Sequence, residues 1–160
     1  MTQPAETPWL DERQQRAWRA TAGMLIRLPA ALDAQLQRDQ GLSHFEYAVL
    51  SLLSERDDRT MQLSEIAQLS TSSLSRLSHV VGRLEQRGWL TRSRLPGPGR
   101  RTAATLTDAG HAKVVEAAPG HVATVRDLLV DRLSEDELDT LGRVAARVLA
   151  AADPDGRWPA

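Results

Sequence analysis

The sequence contains no cysteine, one lysine and few aromatic residues. The absence of cysteine excludes disulfide bonds, zinc sites built on thiolates and redox sensing by thiols. No stretch approaches the roughly 20 apolar residues that a helix needs to cross a bilayer. The polar residues at the start of the chain do not form a signal-peptide pattern. The sequence therefore predicts a cytoplasmic protein.

Patterns that carry catalytic or metal chemistry are also scarce. The four histidines, at 44, 79, 111 and 121, lack the close spacing of a zinc site. Serine, histidine and aspartate all occur, but no nucleophile elbow and no phosphate-cradling glycine loop is present. We therefore expect no metal, no cofactor and no enzymatic activity.

The charges that are present are unevenly distributed. The chain of 160 residues is 41% hydrophobic and 26% charged, with a formal net charge of -1. Residues 72–101 contain seven arginines and one acid, a net charge of +6, so the rest of the chain sums to -7. Codon bias would explain why arginine replaces lysine, but not why the arginines cluster. A local basic surface on an acidic body is typical of phosphate binding.

A long helix is predicted from a cap at Asp11 to about Gln40, where Gly41 ends it as a left-handed cap. Pro29 should bend this helix or break it in two. Its apolar stripe has helical spacing and comprises Trp18, Leu25, Leu28, Leu32 and Leu36. Because one small core cannot cover a helix of this length, we expect a partner helix from a second chain.

The middle of the chain predicts a helix-turn-helix. Ser43 and Glu46 form a capping box that opens a helix over about 43–55, and a short strand is expected at 60–62. The core face of that helix is predicted to be Phe45, Val49, Leu52 and Leu53. A positioning helix over 63–69 and a turn then precede a helix over about 72–87. The apolar face of this last helix is predicted to be Leu74, Leu77, Val81 and Leu84, and its other face is polar.

Two strand-like runs follow Gly88, at 89–94 and 102–106. The tip between them is rich in proline and glycine and carries Arg100 and Arg101. Helix, turn, helix and basic hairpin in this order predict a winged helix-turn-helix. Small hydroxyls at the start of the second helix suit entry into a DNA groove, because they let the backbone approach and the helix N-terminus attracts phosphate.

The C-terminal part is predicted to be helical. Thr107 and Asp108 start a helix in which the Pro119–Gly120 pair should introduce a kink or an interruption. Ser134 and Glu137 form a further capping box. The apolar stripe of the last helix is predicted to be Leu138, Leu141, Val144, Ala145, Val148 and Leu149.

Over residues 10–150 the chain resembles the multiple-antibiotic-resistance regulator (MarR) family of bacterial winged-helix proteins. The resemblance rests on short runs in a fixed order and spacing. They are Gly41-Leu42-Ser43, Ser75-Arg76-Leu77-Ser78-His79, Arg83-Leu84-Glu85, Gly88-Trp89-Leu90, Leu106-Thr107-Asp108-Ala109-Gly110 and Ala117-Ala118-Pro119-Gly120-His121-Val122.

The resemblance implies a mainly α fold with a small β-wing, in which the N- and C-terminal helices dimerise. The implied organisation is a flexible tail at 1–8, a helical dimerisation region at 9–42 and 108–152, a winged helix-turn-helix at 43–107 and a flexible tail at 153–160. The implied partners are a second copy of the chain, a pseudo-palindromic double-stranded DNA operator and a small, often aromatic or phenolic, effector that releases it. Members usually repress transcription.

Each predicted site residue also has an ordinary structural alternative, as solvated surface or core. The DNA contacts are predicted to be Ser72, Ser73, Ser75, Arg76, Ser78, His79, Arg83, Arg94, Arg100 and Arg101. Arg76 is the first candidate for guanine recognition, whereas Arg83 is predicted to contact phosphate. Arg87 is expected to pair with Glu85 or to remain solvated. The effector pocket is predicted to include Trp18, Met24, His44, Phe45 and Tyr47.

The wing departs from the family pattern at one position. The family carries an acid two residues before the wing arginine, and here Pro98 occupies that position before Arg100. Arg100 therefore lacks its local anchor unless Asp108 or another carboxylate replaces it, and we expect a mobile wing tip. An alternative function is a winged-helix module that binds protein, such as an anti-repressor. The +6 segment favours DNA, because a protein-binding version should lose these arginines or expose an apolar patch there.

Overall fold

The computed structural model describes residues 7–96, 101–154 and 156. The elements within these residues are α1 (Glu12–Gln40), α2 (His44–Ser54), β1 (Thr60–Gln62), α3 (Leu63–Leu69), α4 (Leu74–Gln86), β2 (Leu90–Arg94), β3 (Thr102–Leu106), α5 (Asp108–Leu128), a short 3-10 helix (Val130–Arg132) and α6 (Glu135–Ala152). Much of both predicted tails and the wing tip, with Pro98 and Arg100, lies outside the described residues. The fold is the predicted one: mainly helical with a small antiparallel sheet.

The helix boundaries follow the capping signals in the sequence. The Asp11 carboxylate accepts a hydrogen bond from the Gln14 amide and caps α1. Ser43 and Glu46 form the predicted capping box of α2, and Ser134 and Glu137 form that of α6. Gly41 ends α1 in the left-handed conformation, with φ of 63°. All four predicted caps are confirmed.

Neither long helix is interrupted at its proline. α1 continues through Pro29 and α5 continues through Pro119, so the alternatives in which these prolines divide the helices are wrong. Each proline removes one intrahelical hydrogen bond. The two helices also pack against each other, and this packing favours their continuous form. α5 ends at Leu128, well after Pro119, and the 3-10 helix follows.

The three strands form one antiparallel sheet in the order β1-β3-β2. Leu90 pairs with Leu106 and Arg94 with Thr102, while β1 pairs along the other edge of β3. The sheet closes one side of a core made by the end of α1, by α2 to α4 and by the start of α5. The fully buried large side chains of this core are Leu36, Leu42, Val49, Leu50, Leu53, Ile66, Leu77, Val81, Leu84 and Leu90.

Two predicted core assignments need correction. Leu74 is 58% exposed, because it is the first residue of α4 and helical side chains lean toward the N-terminus, where α4 has no preceding turn. On α2, Phe45 is partly buried and packs against the core as predicted, whereas Leu52 is only partly buried and the buried residues include Tyr47 and Leu50, which were not predicted for its core face. A short helix with apolar residues on more than one face can bury any of those faces. The sequence alone does not specify which face meets the core when other elements pack on two sides of the helix.

The two ends of the chain lie outside this core. No side chain of α6 is buried among the described residues, although the helix carries its predicted apolar stripe. Large apolar side chains are also exposed on the first half of α1 and on α5, including Trp18, Leu25, Ile26, Val115 and Val122. None of the described helices is long and apolar enough to span a membrane.

Candidate nucleic-acid interface

Helix α4 is held firmly from behind and exposes a polar face. Leu77, Val81 and Leu84 are fully buried, so the orientation of the helix about its axis is fixed by the core. The side chain of Ser73 caps the helix by accepting a hydrogen bond from the Arg76 amide at 3.2 Å. The outward-facing polar residues include Ser75, Ser78 and His79, as predicted from the sequence.

The guanidinium of Arg76 lies over the ring of Phe45, with 4.8 Å between its carbon and the ring centroid. Phe45 in turn packs against the hydrophobic core. The cation–π contact restricts the rotamers of an otherwise exposed arginine, while its planar N–H groups remain available to a ligand. Phe45, predicted to line an effector pocket, thus supports the arginine predicted to recognise guanine.

Arg83 is engaged by a buried carboxylate, which the sequence did not reveal. Both its Nε and one terminal nitrogen lie 3.1 Å from Oε1 of Glu46. Burial raises the pKa of Glu46, but the hydrogen bonds from Ser43 and the charge of Arg83 outweigh that effect and hold the pKa below its ordinary value. This ion pair ties the start of α2 to the last turn of α4. The Arg83 side chain is still 55% exposed.

The other basic residues beside α4 are paired differently from the prediction. Glu85 pairs with Arg92 of β2, through bonds of 2.8 and 2.5 Å to its Oε2, and not with Arg87. The hydrogen bond from Arg92 lowers the pKa of the Glu85 carboxyl. Arg87 instead donates to the carbonyl of Gly41 and lies over the Trp89 ring. The Glu85–Arg92 pair fixes the hairpin relative to α4.

The remaining predicted DNA contacts lie on the hairpin, inside the turn before α4, or outside the described residues. Arg94 is exposed on β2, and the Arg101 side chain reaches Gln62 of β1. The Ser72 hydroxyl is within 3.0 Å of that of Ser70, inside the turn. Arg100 lies outside the described residues, so its anchoring stays a prediction. Asp108, the suggested substitute anchor, accepts a hydrogen bond from Arg59 at 2.9 Å.

The five residues predicted to line an effector pocket are not brought together within one chain. Trp18 lies on the N-terminal half of α1 and is 58% exposed. A helix rises about 1.5 Å per residue, so Trp18 lies roughly 22 Å along α1 from Asp33, the residue that bonds to His44. Met24 is likewise on the exposed half of α1. His44 and Tyr47, in contrast, share a cluster.

That cluster is completed by His121 of α5. Its ring centroid lies 5.7 Å from that of His44 and 4.7 Å from that of Tyr47. Burial lowers the pKa of both histidines; Asp33 partly opposes this at His44, and His44 adds to it at His121. The sequence could have indicated that His121 faces inward, because it follows Val114 and Ala117 at helical spacing, and both of those residues are buried. No group of three or more metal-ligating side chains occurs among the described residues.

The histidine cluster predicts a loss of stability in mild acid. A folded-state pKa below the unfolded value of 6.5 means that the unfolded chain binds more protons as the pH falls below about 6.5. We expect the free energy of unfolding to decrease between pH 7 and 5.5, above the range in which Glu46 and Glu85 titrate. Urea unfolding at a series of pH values measures this slope.

The replacement His121→Phe keeps an aromatic ring in the cluster and removes one titrating group. This variant should show a shallower pH dependence, whereas His79→Asn on the exposed face of α4 should match the parent. An unchanged slope in His121→Phe would contradict the assignment of the acid sensitivity to the cluster.

The basic helix-turn-helix has clear relatives among known proteins. Residues 42–102 match the model of the MarR family. The transcriptional regulator MhqR of Bacillus subtilis (strain 168) is 32% identical over 108 residues, which are 68% of this chain and 72% of MhqR. PecS of Dickeya dadantii (strain 3937) is 32% identical over 130 residues, 79% of this chain and 78% of PecS.

The fold is likewise shared with a solved regulator on DNA. Sco3205 of Streptomyces coelicolor, a MarR family transcriptional regulator crystallised in complex with DNA, superposes with a TM-score of 0.86 at 37% identity. The match covers 91% of each chain. These relatives confirm the expectation of a regulator and not an enzyme. The chain belongs to the MarR family of DNA-binding transcriptional regulators.

Proposed function

We propose that the protein is a homodimeric repressor that acts in the cytoplasm on a pseudo-palindromic operator and is released by a small molecule. The observation that carries this proposal is the exposed polar face of α4, with Arg76 braced on Phe45. The N-terminal residues of a recognition helix contact base edges in the major groove. Arg94 and Arg101 lie on the adjacent hairpin, where they suit phosphate contacts or the neighbouring minor groove.

Dimerisation is supported by the apolar stripes at the two ends of the chain. In these stripes, Leu25 of α1 is 61% exposed and Val148 of α6 is 61% exposed. Contiguous apolar surface of this kind is typical of a protein–protein interface. A two-fold dimer would present two copies of α4, and an operator needs half-sites about 34–36 Å apart. Repression then follows if the bound dimer blocks access to a promoter.

Binding to DNA from the protein's own promoter region tests the proposal directly. We expect a shift for a fragment containing two half-sites one helical turn apart, and weak binding when the spacing changes by half a turn. The affinity should fall steeply with salt, because arginines release counterions from phosphates. The absence of any sequence-specific complex, at low salt as well, would refute the proposal.

Arg76 is expected to provide much of the sequence discrimination. A bidentate arginine–guanine contact contributes about 1–3 kcal/mol, so Arg76→Ala should weaken specific binding roughly five- to 150-fold for each half-site. Binding to unrelated DNA should weaken much less. Titrations of operator and random DNA with each variant measure both effects.

Two further variants separate base recognition from charge. Arg76→Lys keeps the charge but cannot form the fork, so it should retain random-DNA binding and still lose specificity. Arg101→Ala should weaken both DNAs alike and reduce the salt slope by about one for each subunit in contact with DNA. If Arg76→Ala keeps the parent's ratio between operator and random DNA, its assigned role is wrong.

Effector release is proposed through a cleft of about 350 Å³ between α1, α2 and α4. It is lined by Asp33, Ser43, Phe45, Arg76, His79, Val80 and Arg83. A small aromatic acid in this cleft would contact Phe45 and Arg76, and would therefore compete with the arrangement that recognises DNA. Titrating a panel of phenolic and aromatic acids into the operator complex tests this. Release that persists in Phe45→Leu would place the effector elsewhere.

A further inference from the structure

Leu74 is an exposed apolar residue in an otherwise well-covered lobe. Among the described residues between 27 and 114, it is the only large hydrophobic side chain that is exposed. The next apolar residues along its face of α4, Leu77 and Val81, are completely buried. Single exposed leucines are common on protein surfaces, so exposure alone assigns no role. The position of Leu74 distinguishes it, because it is the first residue of the recognition helix.

The cleft beside Leu74 is lined by uncharged residues. The residue borders a shallow cleft of about 370 Å³ between α3 and the start of α4. The other residues that line this cleft are Ser64, Ala67, Gln68, Thr71 and Ser72. This lining carries no charge, and its hydroxyls and amide can bond to base edges as well as to phosphate. The side chain of Leu74 is itself apolar, so the neighbour expected for it is an apolar group on a base and not a phosphate oxygen.

The major groove offers one apolar feature, the 5-methyl group of thymine. The N-terminal turn of a recognition helix is the part that reaches base edges, and Leu74 begins that turn. We propose that Leu74 reads the methyl group of one thymine in each half-site. This inference rests on the proposed function, and it adds apolar recognition of a T·A pair to the polar recognition expected from Arg76.

Uracil substitution isolates this contact. Deoxyuridine differs from thymidine only in lacking the methyl group, so it preserves base pairing and the O4 acceptor. An operator selected from random-sequence DNA would be synthesised with each thymine replaced in turn, symmetrically in both half-sites. For the parent, we expect one thymine position at which replacement weakens binding about fourfold per half-site, which corresponds to burial of one methyl group.

The variant Leu74→Ala completes a double-mutant cycle. It should bind the unmodified, thymine-containing operator more weakly than the parent does. Uracil at the one sensitive thymine position should then weaken its binding no further. Because Leu74 is exposed, the variant should fold normally, as circular dichroism and thermal unfolding would verify. Ser75→Ala, which changes a neighbouring residue also predicted to contact DNA, serves as the matched control: whatever its overall affinity, it should remain as sensitive to uracil as the parent.

The possible outcomes distinguish this inference from the function on which it rests. A specific complex that tolerates uracil at every position would overturn the role of Leu74 while leaving the repressor proposal intact. The same conclusion follows if Leu74→Ala retains the parent's full sensitivity. If selection yields no preferred sequence at all, both the proposed function and the role of Leu74 are overturned.

Discussion

Replacement of Gly110 by alanine is expected to destabilise the folded protein by about 3 kcal/mol. Gly110 lies in the first turn of α5, directly over the backbone of Trp89. An added Cβ would lie 1.9 Å from the carbonyl oxygen of Trp89 and 2.7 Å from Cδ1 of Leu106. These separations are far inside van der Waals contact, so either α5 or the backbone at Trp89, just before β2, must move.

Movement is restricted because the same backbone segment is bonded at several points. The Trp89 carbonyl accepts a hydrogen bond from the Thr107 amide at 3.1 Å. The Thr107 hydroxyl donates to the carbonyl of Gly88 at 2.7 Å and accepts from the Gly110 amide at 3.0 Å. Moving α5 away from Trp89 would break these bonds and uncover Leu106. The added Cβ therefore clashes with backbone that cannot move without losing these hydrogen bonds.

Gly82 provides a matched control on α4. It is also a helical glycine, but an added Cβ would meet nothing within 4 Å. Gly82→Ala should therefore stabilise the protein by roughly 0.5–1 kcal/mol, through the smaller entropy of the unfolded chain. Urea unfolding of the two variants and the parent measures the difference. A Gly110→Ala protein within 1 kcal/mol of the parent would contradict this account of the contact between α5 and Trp89.

The parts of the fold that the sequence predicted are those determined by neighbouring residues. The capping box of Ser43 and Glu46 acts over three positions, and so does that of Ser134 and Glu137. Thr107 was likewise predicted to start α5, and it caps that helix. Such signals act before any tertiary contact forms. The run Leu106–Gly110 was recognised because it resembles the MarR family. The physical reason for a glycine at its last position became visible only in the contact between Gly110 and Trp89.

The pairings within the site could not be predicted, because their partners are distant in sequence. Glu46 and Arg83 are 37 residues apart, and Arg59 and Asp108 are 49 apart. Any of several arginines satisfied the local requirement for a basic surface, and only packing decides which of them meets a carboxylate. Leu74 shows that local spacing can also mislead, since its spacing matched the core face although the buried face of α4 begins only one turn later, at Leu77.

Introduction of a charge on the outer face of α6 is expected to have the second large effect, on assembly. Val148 is 61% exposed in the single chain and belongs to the apolar stripe with Val144 and Leu149. In the proposed dimer, Val148→Asp would bury a carboxylate on each subunit, and an unpaired buried charge costs several kcal/mol. We expect the dimer dissociation constant to rise at least about a hundredfold. Operator affinity should fall with it, because one subunit contacts only one half-site.

Ala150→Asp is the control, because two positions along a helix correspond to a rotation of roughly 200° and place Ala150 on the opposite side of α6. It introduces the same charge into the same helix, and should leave dimerisation and DNA binding near the parent values. Sedimentation equilibrium over a range of concentrations measures the dissociation constants, and operator titration follows the binding. If Val148→Asp assembles as tightly as Ala150→Asp, the stripe on α6 does not form the dimer interface. If both variants dissociate, general destabilisation of α6 is the cause and the effect does not report on a specific contact.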